Sequence, residues 1–203
     1  VTARGEVFNL PSTKGVTKNI TRTPGAHERD AQWSPDGKCI AYISDATGET
    51  ELYLQDAVEG NPVQLTKNND TYIRSFEWSP DSKKTDRQNR INLLDVASRQ
   101  VTMLLQDPMG EPQDVTFSPD SKWLTYTRDA DNEITVVYVY DIAGKKEYPV
   151  TDKWYNSSSP VFSTDGKYLI FSSARDFNPT YGWLEWNHVY NNMYGVYLAL
   201  LSK

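Results

Sequence analysis

A chain of 203 residues with 38% hydrophobic and 12% aromatic content carries enough apolar material to bury a core and is globular rather than disordered. Its net charge of −6 and pI near 5.0 argue against nucleic acid or an anionic membrane surface as the main partner, since both are met by a basic face. One cysteine, Cys39, excludes an internal disulfide, and the sequence shows neither a spanning apolar run nor the apolar core of a signal peptide.

Glu6 to Leu10 and Val16 to Thr21 are short alternating segments joined by Pro11-Ser12-Thr13-Lys14-Gly15, a hairpin signal. They match the third and fourth strands of later repeats, so the chain is expected to start midway through a blade. Arg29 to Trp33 then enters the turn Ser34-Pro35-Asp36-Gly37, and Cys39 to Ile43 leaves it. Serine at the first position can accept a backbone hydrogen bond, proline presets φ, aspartate tolerates the third position, and glycine supplies the left-handed residue that closes a hairpin. Glu51 to Gln55 and Val63 to Thr66 complete four strands.

The turn returns as Ser79-Pro80-Asp81-Ser82, Ser118-Pro119-Asp120-Ser121 and Ser163-Thr164-Asp165-Gly166, each after an aromatic (Trp33, Trp78, Phe117, Phe162). The copies begin at 34, 79, 118 and 163, with steps of 45, 39 and 45 residues, the period of four-stranded propeller blades. The second strands of repeats one, three and four (Cys39 to Ile43, Trp123 to Tyr126, Tyr168 to Phe171) are nearly continuous apolar runs, which predicts burial on both faces. Cys39 is expected to be an inert core thiol. The fold class is therefore all-β, an incomplete β-propeller of about four blade units of four-stranded antiparallel sheets. Its boundaries fall at about 1–28, 29–72, 73–111, 112–157 and 158–203 in one partial domain.

Two repeats depart from the pattern. In repeat two, Lys83 to Arg90 contains no apolar residue, so the second strand is expected to be missing and the blade three-stranded. In repeat four a long excursion, 174–194, separates Ser173 from the strand Val196 to Leu201, and a fourth strand is not expected before the chain stops.

Gly25 to Arg29 running into the first turn and Ala41 to Asp45 resembles the propeller of tricorn-type serine peptidases. The stretch Ser173-Ala174-Arg175-Asp176-Phe177-Asn178-Pro179-Thr180-Tyr181, followed by Glu185-Trp186-Asn187-His188, is similar to a segment of bacterial tricorn homologues and is the more specific match. The resemblance implies a non-catalytic fragment of the second propeller, guiding or filtering peptides for a serine peptidase whose catalytic region lies outside this chain. It implies peptides or the remaining domains of the parent enzyme as partners, a cytoplasmic or periplasmic setting, and self-association through open blade edges. Two alternatives stay open, a stand-alone TolB-like protein-binding propeller and the propeller of a prolyl-oligopeptidase-type enzyme, since both carry similar turns.

Candidate chemistry is sparse. His27 and His188 are the two histidines, and without a Gly-x-Ser-x-Gly elbow neither has motif support for a serine triad. Glu185 and His188 have the spacing of a helical metal pair, but two ligands are too few. Asp129, Asp131 and Glu133 resemble the start of a calcium loop without its glycine and terminal glutamate, so they read as a hairpin turn. No metal or other cofactor is expected. The excursion gathers Phe177, Tyr181, Trp183, Trp186, Tyr190 and Tyr194, and from it Arg175, Asp176, Tyr181, Trp183, Glu185, Trp186 and His188 are taken as the peptide or domain contact residues. The competing reading is a satellite core that caps the blades.

Overall fold

The turn that repeats along the sequence closes three hairpins by one hydrogen-bond pattern. Ser34 Oγ accepts the N–H of Cys39 at 3.0 Å and donates to Asp36 Oδ1 at 2.7 Å, and the same oxygen of Asp36 accepts the N–H of Lys38 at 3.2 Å. Ser118, Asp120 and Lys122 repeat this arrangement, as do Ser163, Asp165 and Lys167. The fourth turn residue takes positive φ in each, +69° at Gly37, 58° at Ser121 and +69° at Gly166. Serine and aspartate thus satisfy the turn's backbone donors with their own side chains, so the hairpin is specified locally.

The computed structural model describes residues 1–57, 60–67, 72–80, 84–87, 90–107, 111–176, 179–181, 188–190 and 192–201, with the backbone alone for 84–87, 179–181 and 188–190. It divides into two units, Val1–Leu105 and Gln106–Lys203.

In the first unit, β1 (Thr2–Ala3), β2 (Glu6–Asn9) and β3 (Lys18–Asn19) form a three-stranded sheet. Next come β4 (Glu28–Trp33), β5 (Cys39–Ser44), β6 (Glu51–Asp56) and β7 (Val63–Gln64), a meander in sequence order. The strands β8 (Phe76–Trp78), β9 (Lys84–Arg87), β10 (Arg90–Asp95) and β11 (Gln100–Gln106) form another four-stranded sheet. Val7 packs with Ile40, Tyr42 and Tyr53. Ala41, Ile43, Leu52 and Leu65 on the other side of the middle sheet pack with Ile73, Phe76, Trp78 and Leu94. Burial of β5 on both faces follows the continuous apolar run, although Cys39, at the strand's first position beside the turn, is half-buried and not a core residue.

Repeat two keeps the strand whose polar composition argued against it. β9 pairs with β8 (Phe76↔Asp86, Trp78↔Lys84) and with β10 (Ile91↔Arg87, Leu94↔Lys84), so this blade is four-stranded. Backbone groups make the ladder, and a strand flanked on both sides has every one of them within reach of a partner whatever its side chains are. The shorter repeat is absorbed by tighter connections. Arg87 pairs with Ile91 across the β9–β10 link, where Ser44 pairs with Glu51 in the preceding blade.

In the second unit, β12 (Gln113–Phe117), β13 (Trp123–Asp129), β14 (Thr135–Asp141) and β15 (Lys146–Pro149) make a four-stranded meander. β16 (Ser157–Phe162) and β17 (Tyr168–Ser173) follow, then a separate hairpin of β18 (Pro179–Tyr181) and β19 (His188–Tyr190), and β20 (Gly195–Leu200), which returns to pair with β17. Val137, Val139, Leu169 and Phe171 form the shared core of the two sheets. β17 alternates between buried and half-buried and is not buried on both faces as its apolar run suggested, because one face of its sheet packs on β14 and no described element covers the other.

Two further devices recur. A threonine at the end of the fourth strand accepts a third-strand N–H: Val7 to Thr21 at 3.1 Å, Leu52 to Thr66 at 2.9 Å and Val137 to Thr151 at 3.0 Å. Cross-strand aromatic pairs stack in the same register, Tyr42 on Tyr53 at 5.8 Å and Tyr126 on Tyr138 at 5.7 Å.

Candidate functional site

The excursion of repeat four leaves a sheet whose end is tied by serines. Ser157 Oγ donates to Ser173 Oγ at 3.0 Å, with both residues fully buried, and the N–H of Ala174 donates to the carbonyl of Asn156 at 2.9 Å. The outgoing and returning chains stay joined beyond the sheet through the Asp176 N–H to the Met193 carbonyl at 3.1 Å. Tyr181 and His188 then face one another in the β18–β19 register. Phe177, Trp183, Glu185 and Trp186 lie outside the described residues, as do the side chains of Tyr181 and His188.

Arg175 stands where the excursion begins. Its Nε donates to Ser173 Oγ at 3.3 Å, and its guanidinium lies 4.9 Å from the Tyr197 ring centroid and 5.8 Å from that of Tyr155. Ring contacts of this kind contribute about 0.5–1 kcal/mol at partly exposed sites and leave the outer N–H groups of the guanidinium for other acceptors. Asp176 and Tyr194 are exposed.

The contact of Arg175 with Tyr155 brings in residues that the sequence reading passed over. The loop 152–156 is pinned on several sides. Asn132 Nδ2 donates to the Lys153 carbonyl at 3.0 Å, Lys153 Nζ pairs with Asp131 at 2.8 Å, and the Thr135 N–H donates to Asn156 Oδ1 at 2.9 Å. The ammonium of Lys153 holds the Asp131 carboxyl below its ordinary range, and Asp131 raises Lys153 in turn. Trp154 is nevertheless 79% exposed on this fixed loop, and Tyr155 is also exposed. The available signal was a tryptophan and a tyrosine side by side in an inter-repeat connection, where no packing periodicity demands them. Phenol rings, an indole and a guanidinium make recognition chemistry suited to peptide or protein surfaces.

The other flagged residues are accounted for locally. His27 is exposed, and its backbone N–H donates to Asp45 Oδ1 at 2.6 Å. Asp129 Oδ1 accepts the Thr135 hydroxyl at 2.7 Å, and Glu133 closes the turn through its N–H to the Ala130 carbonyl at 2.9 Å. The second unit also holds an apolar cavity of about 530 Å³ at the turn end of its sheets, walled by Trp123, Val139, Tyr148, Val150, Phe162 and Leu201.

Antiparallel meanders in sequence order, three of them opened by the same hydrogen-bonded turn and with neighbouring sheets packed on one another within each unit, define stretches of β-propeller. The family profile of the tricorn protease second β-propeller domain matches residues 1–203, and the chain belongs to that family. Tricorn protease homolog 1 of Streptomyces coelicolor is 25% identical over 193 residues, covering 89% of this chain and 18% of that protein. The tricorn protease homolog of Saccharolobus solfataricus is 23% identical over 204 residues, covering 99% of this chain and 18% of its own length. The chain thus spans less than a fifth of these curated relatives. Among solved structures, the tricorn protease superposes with a TM-score of 0.86 at 17% identity, covering 98% of this chain and 20% of that one. TolB from Acinetobacter baumannii superposes at 0.61 with 24% identity, covering 82% and 42%. These two likenesses are likenesses of fold.

Proposed function

We propose that this chain is a non-catalytic propeller segment of a tricorn-like serine peptidase, and that it guides or filters peptides on their way to an active site outside residues 1–203. The observation that carries the reading is the match of the whole chain to the second propeller of tricorn protease, joined to an exposed aromatic surface beside Arg175. The relatives named as tricorn homologues are several times longer than this chain, which leaves room for a catalytic region. In this reading residues 1–203 are one partial propeller domain, with blade units at about 1–28, 29–72, 73–111, 112–157 and 158–203, a division supported by the sheet order. Peptide contact falls to Arg175, Asp176, Tyr181, Trp183, Glu185, Trp186 and His188, extended by Trp154 and Tyr155.

The far face and free edge of β20 receive the next part of the same protein, and in its absence they are the route to self-association. The test uses the full-length protein with Arg175→Ala and Trp154→Ala. The expected result is a raised KM for long peptides with kcat and short-substrate turnover unchanged. Unchanged handling of long peptides by both variants sinks the guiding role. Hydrolysis by residues 1–203 alone, abolished by a substitution within them, sinks the non-catalytic one.

A further inference from the structure

In the first unit a groove of about 540 Å³ lies along the outer strands β7 and β11, and its chemistry is opposite to that of the chain as a whole. The described lining includes Lys67, Arg90 and Arg99 and no acidic residue, in a protein of net charge −6. Lys67 and Arg99 are exposed and form no ion pair with any described residue.

Both cations are set on fixed backbone. Arg99 has φ 58° in the β10–β11 turn, which is held by the Ser98 N–H and hydroxyl on Asp95 Oδ1 at 2.8 and 2.9 Å. Lys67 follows Thr66, whose hydroxyl accepts from Leu52 N–H and donates to Glu51, and whose carbonyl accepts Gln64 Nε2 at 2.8 Å. On β11, Val101 and Met103 line the groove two residues apart and are 50% and 56% exposed. The wall therefore joins cations to an apolar strip on an edge strand.

We propose that this groove binds an extended acidic peptide segment, its carboxylates on Lys67 and Arg99 and its apolar side chains against Val101 and Met103. An edge strand accepts an extended chain through backbone hydrogen bonds and reads alternate side chains in pockets, which fits an alternation of acidic and apolar residues. A nucleic acid is the poorer occupant. The described wall has no aromatic ring on which a base could stack, and the net negative charge repels a long polyanion. The assignment rests on residues of the first unit alone and does not depend on the contact surface beside Arg175.

The test is fluorescence anisotropy on the full-length protein with a short labelled peptide alternating glutamate and leucine, its glutamine counterpart, and a short oligothymidylate. The glutamate peptide is expected to bind at least about tenfold more tightly than the glutamine peptide, and to weaken by a similar factor with Lys67→Glu plus Arg99→Glu and with added salt. Met103→Ser is expected to cost about fivefold through the apolar half of the contact. All three substituted positions are exposed, so an unchanged thermal melt verifies the fold of each variant. Equal binding of the two peptides, indifference to the double charge reversal, indifference to Met103→Ser, or tighter binding of oligothymidylate each overturns the assignment.

Discussion

Val137 and Val139 in β14 occupy the same places in their sheet as Val196 and Leu198 in β20, counted from the hairpin pairs Trp123↔Asp141 and Tyr168↔Leu200. The first pair is 0% and 6% exposed, and the second 80% and 59%. The strands are alike in composition, so the difference comes from what lies against them. Val137 and Val139 pack on Leu169 and Phe171 of the following sheet, whereas the matching face of β20 meets no described element. In this fold a strand does not carry its own burial. Within each unit a sheet is buried by the one packed against it, and the same apolar alternation reads as core or as open face according to its neighbour.

The largest effect that tests this contrast is in the core. Val137→Ala is expected to cost about 2 kcal/mol in denaturant unfolding, from two lost buried methyl groups and the cavity they leave. Leu198→Ala is expected to stay within about 0.5 kcal/mol on residues 1–203. In the full-length protein Leu198→Ala should rise to the cost of a core truncation if a further blade covers it, and an unchanged value there breaks the comparison. Light scattering supplies an independent reading. Val196→Lys with Leu198→Lys should reduce association of the 203-residue chain, because charges on an open edge oppose strand pairing.

The parts of this architecture legible in the sequence are those fixed within a few residues. Ser34, Asp36 and Gly37 satisfy their turn by themselves, so their recurrence located the hairpins and with them the blade period. The strand Lys84–Arg87 was illegible because its place is decided by β8 and β10, whose pairing is non-local. The threonine latches at Thr21, Thr66 and Thr151 were visible as recurring apolar-threonine pairs, but their meaning needed the third-strand N–H opposite them. At the candidate site the sequence drew attention to 174–194 by length and aromatic content. It could not show that Arg175 reaches across to Tyr155, on a loop some twenty residues earlier.

The two hairpins of the second unit sharpen the contrast at smaller amplitude. Ser118→Ala removes the acceptor for the Trp123 N–H and the donor to Asp120 at a buried position, and is expected to cost about 1–2 kcal/mol. Ser163→Ala breaks the same two bonds where the serine is half-buried, and should cost less because water replaces them more readily. Equal losses would mean that the turn, and not its surroundings, sets the cost. At the fourth turn position the signs reverse. Ser121 holds φ 58° where its counterpart is Gly166, so Ser121→Gly should stabilise by up to about 1 kcal/mol while Gly166→Ala destabilises by a similar amount. A Cβ at Gly166 would meet nothing within 4 Å, which makes this a test of backbone conformation free of packing.

The smallest effect is one of pH. The carboxyls of Asp36, Asp120 and Asp165 are held below their ordinary range, foremost by the hydroxyls of Ser34, Ser118 and Ser163 and also by the N–H groups of Lys38, Lys122 and Lys167. A carboxyl that binds its proton less tightly when folded than when unfolded favours folding in its ionised form. Its contribution is therefore complete above the unfolded value of about 3.9 and is lost as pH falls through the lower folded value. All three groups lie at or near the surface, so solvent screening keeps each contribution small. The expected outcome is that the native chain loses stability in denaturant titrations as pH falls below about 4, and that a chain with Asp36→Asn, Asp120→Asn and Asp165→Asn loses measurably less over that interval. Asparagine keeps an acceptor for the serine hydroxyl, so the triple variant should retain its hairpins and differ from the native chain chiefly in this acid limb. Parallel acid limbs for the two proteins would move the origin of acid sensitivity to other carboxylates of the chain.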